Sequence, residues 1–195
     1  MLDRIKMTAA NLQLQKNFDF HMHQVPEVVT YCQRCLNTQR WDGSILLMIV
    51  DASFTSIGLN YFHSVVPGVE KFRKELVETR IISSLADLSA SDCQILEAVW
   101  KNKRSWHAAR EIASFLTKTG RKTVLSERQS FLSWAVNSSL VNWKLDPIGK
   151  IKGVGINIYQ YLRMMGGIDT VMPDKIVKRV INGILAEAGE PLPAD

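Results

Sequence analysis

Cysteine is nearly absent: Cys32, Cys35 and Cys93 are the whole complement of a 195-residue chain. So small and odd a number excludes a disulfide framework and fits a reducing compartment. Long apolar runs are missing too. The most apolar one, Ile45 to Val50, stops at Asp51, far short of the roughly 20 residues a membrane helix needs. It reads as a buried helix, and no membrane partner is expected. The opening MLDRIKMTAANLQLQ has neither an apolar core nor a cleavage-like site, so no secretory signal and a cytoplasmic location are expected. No tract is of low complexity, and a chain 46% hydrophobic and 22% charged should be globular. Acidic excess is also lacking: 24 Lys and Arg against 19 Asp and Glu leave a net charge of +5. That surplus favours polyanions such as nucleic acid.

What is present is helical periodicity. Nearly every segment repeats its apolar positions every 3.6 residues, and no strand alternation is found, so an all-α protein is expected. Helices are predicted near 2–16, 26–39, 43–54, 57–64, 68–77, 91–100, 104–119, 125–137, 144–150, 156–165 and 174–187. Ser91 is a candidate cap, Gly120 a candidate stop, and Gly166-Gly167 should end the helix before Asp174. The tail from Gly189 to Asp195 reads as a frayed end. His21, His23, Cys32 and Cys35 bring four zinc-type ligands within fifteen residues, but their spacing matches no common zinc module. The two cysteines fit a helical stripe with Val28, Val29 and Leu36 and are expected to be small buried residues, with no metal.

The most informative stretch is IKGVGINIYQYLRMMGGIDTVMPDKIVKR, residues 151–179. Lys152-Gly153-Val154-Gly155 forms a turn in which glycine permits positive φ and close backbone approach, and it opens a helix whose first amides point outward. Helix amides and dipole favour an anion, and Lys150 and Lys152 add charge, which suits a phosphate; an ordinary glycine turn is the plainer alternative. Asp174 follows Pro173 and precedes the stripe Ile176, Val177, Val180, Ile181, Ile184, Leu185, the position of a helix cap whose carboxylate is held ionised. Lys175, Lys178 and Arg179 share its helix and serve either as a solvated face or as phosphate contacts. Trp100 to Arg110 interleaves Trp100 and Trp106 with Lys101, Lys103, Arg104, His107 and Arg110, which suits either phosphate contact or a packed helix.

These residues resemble the helix-hairpin-helix (HhH-GPD) DNA glycosylases of the endonuclease III type. The hairpin L-P-G-V-G is similar to Ile151-Lys152-Gly153-Val154-Gly155, and the family's V-D-x-x-V-x-R-V segment to Met172 through Val180, with 19 positions from Gly155 to Asp174. Upstream, DASFTSIGLN (Asp51–Asn60) is similar to the family's S-A-Q-A-T-D-x-x-x-N, and Ser84 to Leu116 is similar to the following segments. The resemblance covers about residues 43 to 185.

It implies a two-lobed helical fold: residues 44–167 as a central lobe ending in the hairpin at about 144–165, and 1–43 plus 168–195 as a second lobe. It also implies a monomer acting on double-stranded DNA that holds a damaged or mismatched base, at the nucleoid. The base would be flipped into a cleft and its N-glycosidic bond cut, with Asp174 stabilising the oxocarbenium-like sugar. Lys150, Lys152, Gly153, Val154, Gly155, Lys175, Lys178, Arg179, Lys103 and Arg104 would face DNA. Asn157 stands where strand-cleaving members carry a lysine, and an amide forms no Schiff base, so a monofunctional enzyme is expected. No cysteine follows Cys93, so no iron–sulfur cluster is expected, although a structural monovalent cation at the hairpin fits the family. Ser53 replaces the family's intercalating glutamine; Phe54 beside it is either an apolar wedge or a core residue. Tyr159, Tyr161, Trp134 and Asn157 are available to line a pocket, with core packing an equally good account of the first three. The alternatives are a non-catalytic hairpin module that binds DNA, a scaffold without DNA contact, and a bifunctional enzyme using another lysine.

Overall fold

The computed structural model describes residues 12, 15–17, 19, 20, 23, 26–173, 175–187 and 189. Asp174, His21, most of the predicted 2–16 helix and the tail beyond Gly189 lie outside them. The protein is mostly helical, with no strand among the described residues. None of its described helices is long and apolar enough to cross a membrane. Residues 34–172 form one compact unit, and residues 1–33 with 173–195 form another.

In chain order the helices are α1 (Pro26–Leu36) and α2 (Ile45–Phe54), then α3, a continuous stretch of three segments, Tyr61–Val65, Val66–Phe72 and Arg73–Val77. After these come α4 (Leu85–Ala90), α5 (Cys93–Val99), α6 (Lys103–Thr123), α7 (Glu127–Asn137), α8 (Ile156–Met165) and α9 (Lys175–Glu187). The larger unit starts ten residues before the expected Ser44 and runs five past Gly167, to Met172. Buried contacts explain both shifts. Arg40 and Trp41 are drawn inward by Asp51 of α2, and Thr170 and Val171 are bound by Gln160 of α8.

The core is built around α2, which is buried over all ten residues and packs against α6, α8 and α3. Its start is set by Ser44, whose hydroxyl accepts from the Leu47 amide. α6 carries the next layer, burying Trp106, Ala108, Ala109, Ile112, Ala113 and Leu116 at helical spacing. α7 opens on a reciprocal capping box between Ser126 and Gln129.

Several boundaries differ from expectation for local reasons. Asp92, not Ser91, caps α5, accepting from the Gln94 amide at 2.7 Å; the Ser91 hydroxyl donates back to the Asp87 carbonyl within α4. Gly120 does not stop α6. A β-carbon there would lie 2.7 Å from Ser130 Oγ, so this glycine admits α7, and α6 ends only at Val124, in the left-handed region at φ 55°. The predicted helix at 144–150 is absent. Residues 140–152 form successive turns, because Pro147 lacks an amide hydrogen and the Asp146 carboxylate takes the Ile148 amide at 2.8 Å. α8 stops where expected: Ile168 N donates to Arg163 O and Gly167 N to Met164 O, with Gly167 at φ +88°, the Schellman pattern.

Candidate nucleic-acid interface

The turns that precede α8 are held by their own side chains. Trp134 Nε1 reaches both oxygens of Asp146 at 3.2 Å. Gly149 sits so close to Trp143 that a β-carbon would fall 1.7 Å from its carbonyl oxygen. The chain then turns at Ile151–Val154, closed by Val154 N to Ile151 O at 3.0 Å, with Gly153 at φ +101° in third position, as a type II turn favours. Gly155 caps α8 with an extended backbone and no side-chain hydrogen bond. The opening amides of α8 therefore have no side-chain acceptor, and nothing stands within 4 Å of where a β-carbon on Gly155 would be. An open, uncapped helix start attracts an anion.

Two concavities meet at this turn. One, of about 200 Å³, is lined by Thr55, Ser56, Arg104, Gly153, Gly155 and Asn157. The Asn157 side-chain oxygen is buried there with no hydrogen-bond partner. The Ser56 and Ser105 hydroxyls stand 3.0 Å apart nearby, and Asn102 fixes Ser105 from the start of α6. The other concavity, of about 500 Å³, is lined by Lys103, Arg104, His107, Lys152 and Gly153. Lys103 and Arg104 lie four and three positions before His107 on α6, so each neighbours it on the helix surface. Arg104 joins the two: its stem occupies the space beside Gly153, with Cγ 3.2 Å from a β-carbon placed there. Lys103 is exposed, 81% by side chain, and pairs loosely with Glu97 at 3.7 Å.

The expected residues thus separate. Lys103, Arg104, Lys152, Gly153 and Gly155 come together, joined by His107 and Asn157. Val154 is buried and holds the turn against the core. Lys150 is exposed on the preceding turn. Lys175, Lys178 and Arg179 are exposed on α9, which belongs to the other compact unit; their spacing of three and four places them on one face. Asp174 lies outside the described residues.

Ser53 and Phe54 line neither concavity. Both are fully buried. The Phe54 ring stacks on Trp100 at 4.3 Å and meets Trp106 edge-on at 4.9 Å, and Gly68 gives Trp100 its seat. A residue clamped between two indoles inserts into no base stack. Tyr159, Tyr161 and Trp134 are likewise buried in the core. Cys35 is buried as expected, but Cys32 is exposed, and the described residues contain no group of three or more His, Cys, Asp or Glu able to hold a metal ion.

The sequence reading missed a buried polar cluster behind the turn. Asp51, fully buried on α2, accepts through one oxygen from Trp41 Nε1 at 2.6 Å and from the hydroxyls of Tyr61 and Tyr161 at 2.9 Å each. Arg40 lies 3.5 Å from the same oxygen and donates to Tyr61. The cluster ties α8 to α2 and α3. Burial pushes the Asp51 carboxyl up, against the pull of Arg40 and the three donors. Burial also raises both tyrosines. Burial works against the Arg40 charge, but the neighbouring tyrosines and Asp51 outweigh it and raise its pKa. One signal was legible: an aspartate inside the otherwise apolar run ILLMIVDASF.

No family model, no curated protein and no solved structure matches the chain.

Proposed function

We propose that the protein binds double-stranded DNA through the 151–155 turn and the basic face of α6, and that it hydrolyses the N-glycosidic bond of a damaged or mismatched base. One observation carries the reading. Residues 103, 104 and 107 lie more than forty positions from the glycine turn in sequence, yet they line one groove with Lys152 and Gly153. A groove of cations beside an uncapped helix start suits consecutive phosphates of a backbone.

The chemistry follows from the resemblance and from Asp174. As the base departs, positive charge builds on the sugar ring, and a fixed carboxylate stabilises that charge in the transition state more than in the ground state. Water adds to the sugar carbon as the carbon–nitrogen bond breaks, and the base leaves with a proton. In this reading the same carboxylate also orients that water. Asn157 forms no imine, so an intact strand with an abasic site is the product. No step requires an iron–sulfur cluster, and a monovalent cation at the turn would serve only to hold its backbone. The site of action is the nucleoid, and the working unit is a monomer.

The test is a panel of duplexes with single lesions or mismatches, incubated with the full chain and then treated with hot alkali. Cleavage at one lesion supports the reading, and Asp174→Asn should abolish it while leaving DNA binding intact. Binding without product on every duplex would favour a non-catalytic hairpin module. The burial of Ser53 and Phe54 lends weight to that second reading, because neither is free to replace a flipped base.

A further inference from the structure

We infer that the duplex held at the 151–155 turn continues along the whole of α6, where Lys118, Arg121 and Lys122 form a second set of phosphate contacts. This rests on the DNA-binding part of the reading above and not on its chemistry. α6 is 21 residues long, and its exposed side repeats itself. Arg121 lies 18 positions after Lys103, and Lys122 lies 18 after Arg104, which is five whole turns, so each returns to the same face. Lys118 lies 11 positions after His107, close to three turns. All six side chains fall within an arc of about 100°, and all six residues are exposed. The opposite side of α6 is buried through Trp106, Ala109, Ile112, Ala113 and Leu116. Glu111 is the only acid in the helix.

Helix stability does not account for this face. The dipole favours cations in the last turn, where Arg121 and Lys122 stand, but disfavours them in the first, where Lys103 and Arg104 stand with no acid in the turn. Nor are the far cations used in ion pairs: none of Lys118, Arg121 and Lys122 forms one among the described residues. Each end of the face borders a recess. At the start it is the groove with Lys152. At the end it is a concavity of about 550 Å³ whose lining includes Arg121, Thr117, Ser126 and Ser130. Thr117 Oγ1 is buried without a hydrogen-bond partner, and Glu127, the acid of this recess, accepts from the Leu85 amide at 2.7 Å. Eighteen residues of helix span about 27 Å, the length of about 8 base pairs. A row of cations of that length suits a charge that repeats along an axis, as duplex DNA does, rather than one small anion.

The experiment follows duplex affinity against salt by anisotropy, with the full chain and a labelled duplex of about 20 base pairs. The neutralised variant carries Lys118→Gln, Arg121→Gln and Lys122→Gln. A second variant keeps the charges, with Lys118→Arg, Arg121→Lys and Lys122→Arg. A control carries Lys74→Gln and Arg80→Gln, two exposed cations outside α6. The slope of log affinity against log salt should fall by about 3 in the neutralised variant and hold in the other two. An unchanged slope in the neutralised variant would overturn the inference. So would a loss in the charge-keeping variant, which would point to packing, or an equal loss per charge in the control, which would point to bulk charge. These outcomes leave the contacts at the 151–155 turn standing, because Arg104→Gln and Lys152→Gln test them separately. No duplex binding by the unmodified chain would overturn both.

Discussion

The two glycines of the turn should respond oppositely to the same added methyl group. Gly153 has φ +101°, and a β-carbon there meets Arg104 Cγ at 3.2 Å and Arg104 O at 3.5 Å. Holding an L-residue in that backbone region costs about 1–3 kcal/mol, and the arginine stem must move as well. For a chain of this size each kcal/mol lowers Tm by about 2–4 °C, so Gly153→Ala should melt roughly 2–12 °C below the unmodified protein. Gly155 has an extended backbone and open space around it. Alanine at a helix cap costs about 0.5–2 kcal/mol relative to the best caps and glycine a few tenths, and the stiffer unfolded chain returns about 0.4–1 kcal/mol, so Gly155→Ala should melt within a few degrees of the parent. Its methyl group, however, projects where a phosphate would meet the α8 amides. Thermal melts followed by tryptophan fluorescence, paired with anisotropy of a labelled duplex, separate the effects. Gly153→Ala should lose stability and affinity together, Gly155→Ala affinity alone. Undiminished duplex binding by Gly155→Ala would refute the assignment of the α8 start as the phosphate anchor. Undiminished stability of Gly153→Ala would refute the strained turn.

Arg104→Gln and Lys152→Gln should each lower the slope of log affinity against log salt by about 1; a slope that does not change removes that side chain from the phosphate contacts. Phe54→Ala should destabilise by about 3–5 kcal/mol, read from urea denaturation, because it empties the slot between Trp100 and Trp106; a near-neutral effect would place the ring outside the core. Asp51 predicts a pH dependence. Its carboxyl is raised in the folded state by burial, so the fold prefers the protonated acid. That contribution is full below the unfolded value of about 3.9 and is lost as pH rises through the folded value. Asp51→Asn, which does not titrate, should therefore gain on the parent as pH climbs above about 4; a difference moving the other way would mean that Arg40 and the three donors outweigh desolvation.

Much of the local structure was legible because it depends on neighbours in sequence. The stripes of α6 and α9 follow from their 3.6-residue apolar spacing, and the all-round burial of α2 from its continuous apolar run. The end of α8 follows from Gly167, one of the few residues that take positive φ at no cost. The turn at Gly153 was readable for the same reason. Mistakes arose where a nearby polar group competed with the helix: Asp146 captures the Ile148 amide and replaces the predicted 144–150 helix with turns, and Asp92 outcompetes Ser91 as a cap.

By itself the sequence determined the helical class, the positive surplus and a glycine turn opening a short helix, since periodicity, charge and φ preference are properties of residues and their immediate neighbours. Tertiary structure alone decided that Phe54 is clamped between two indoles, that Asp51 gathers Trp41, Tyr61 and Tyr161, and that the α6 cations line the groove at Lys152 and Gly153. Such pairings join residues tens of positions apart. Burial and packing select their partners from a chain whose local pattern permits many.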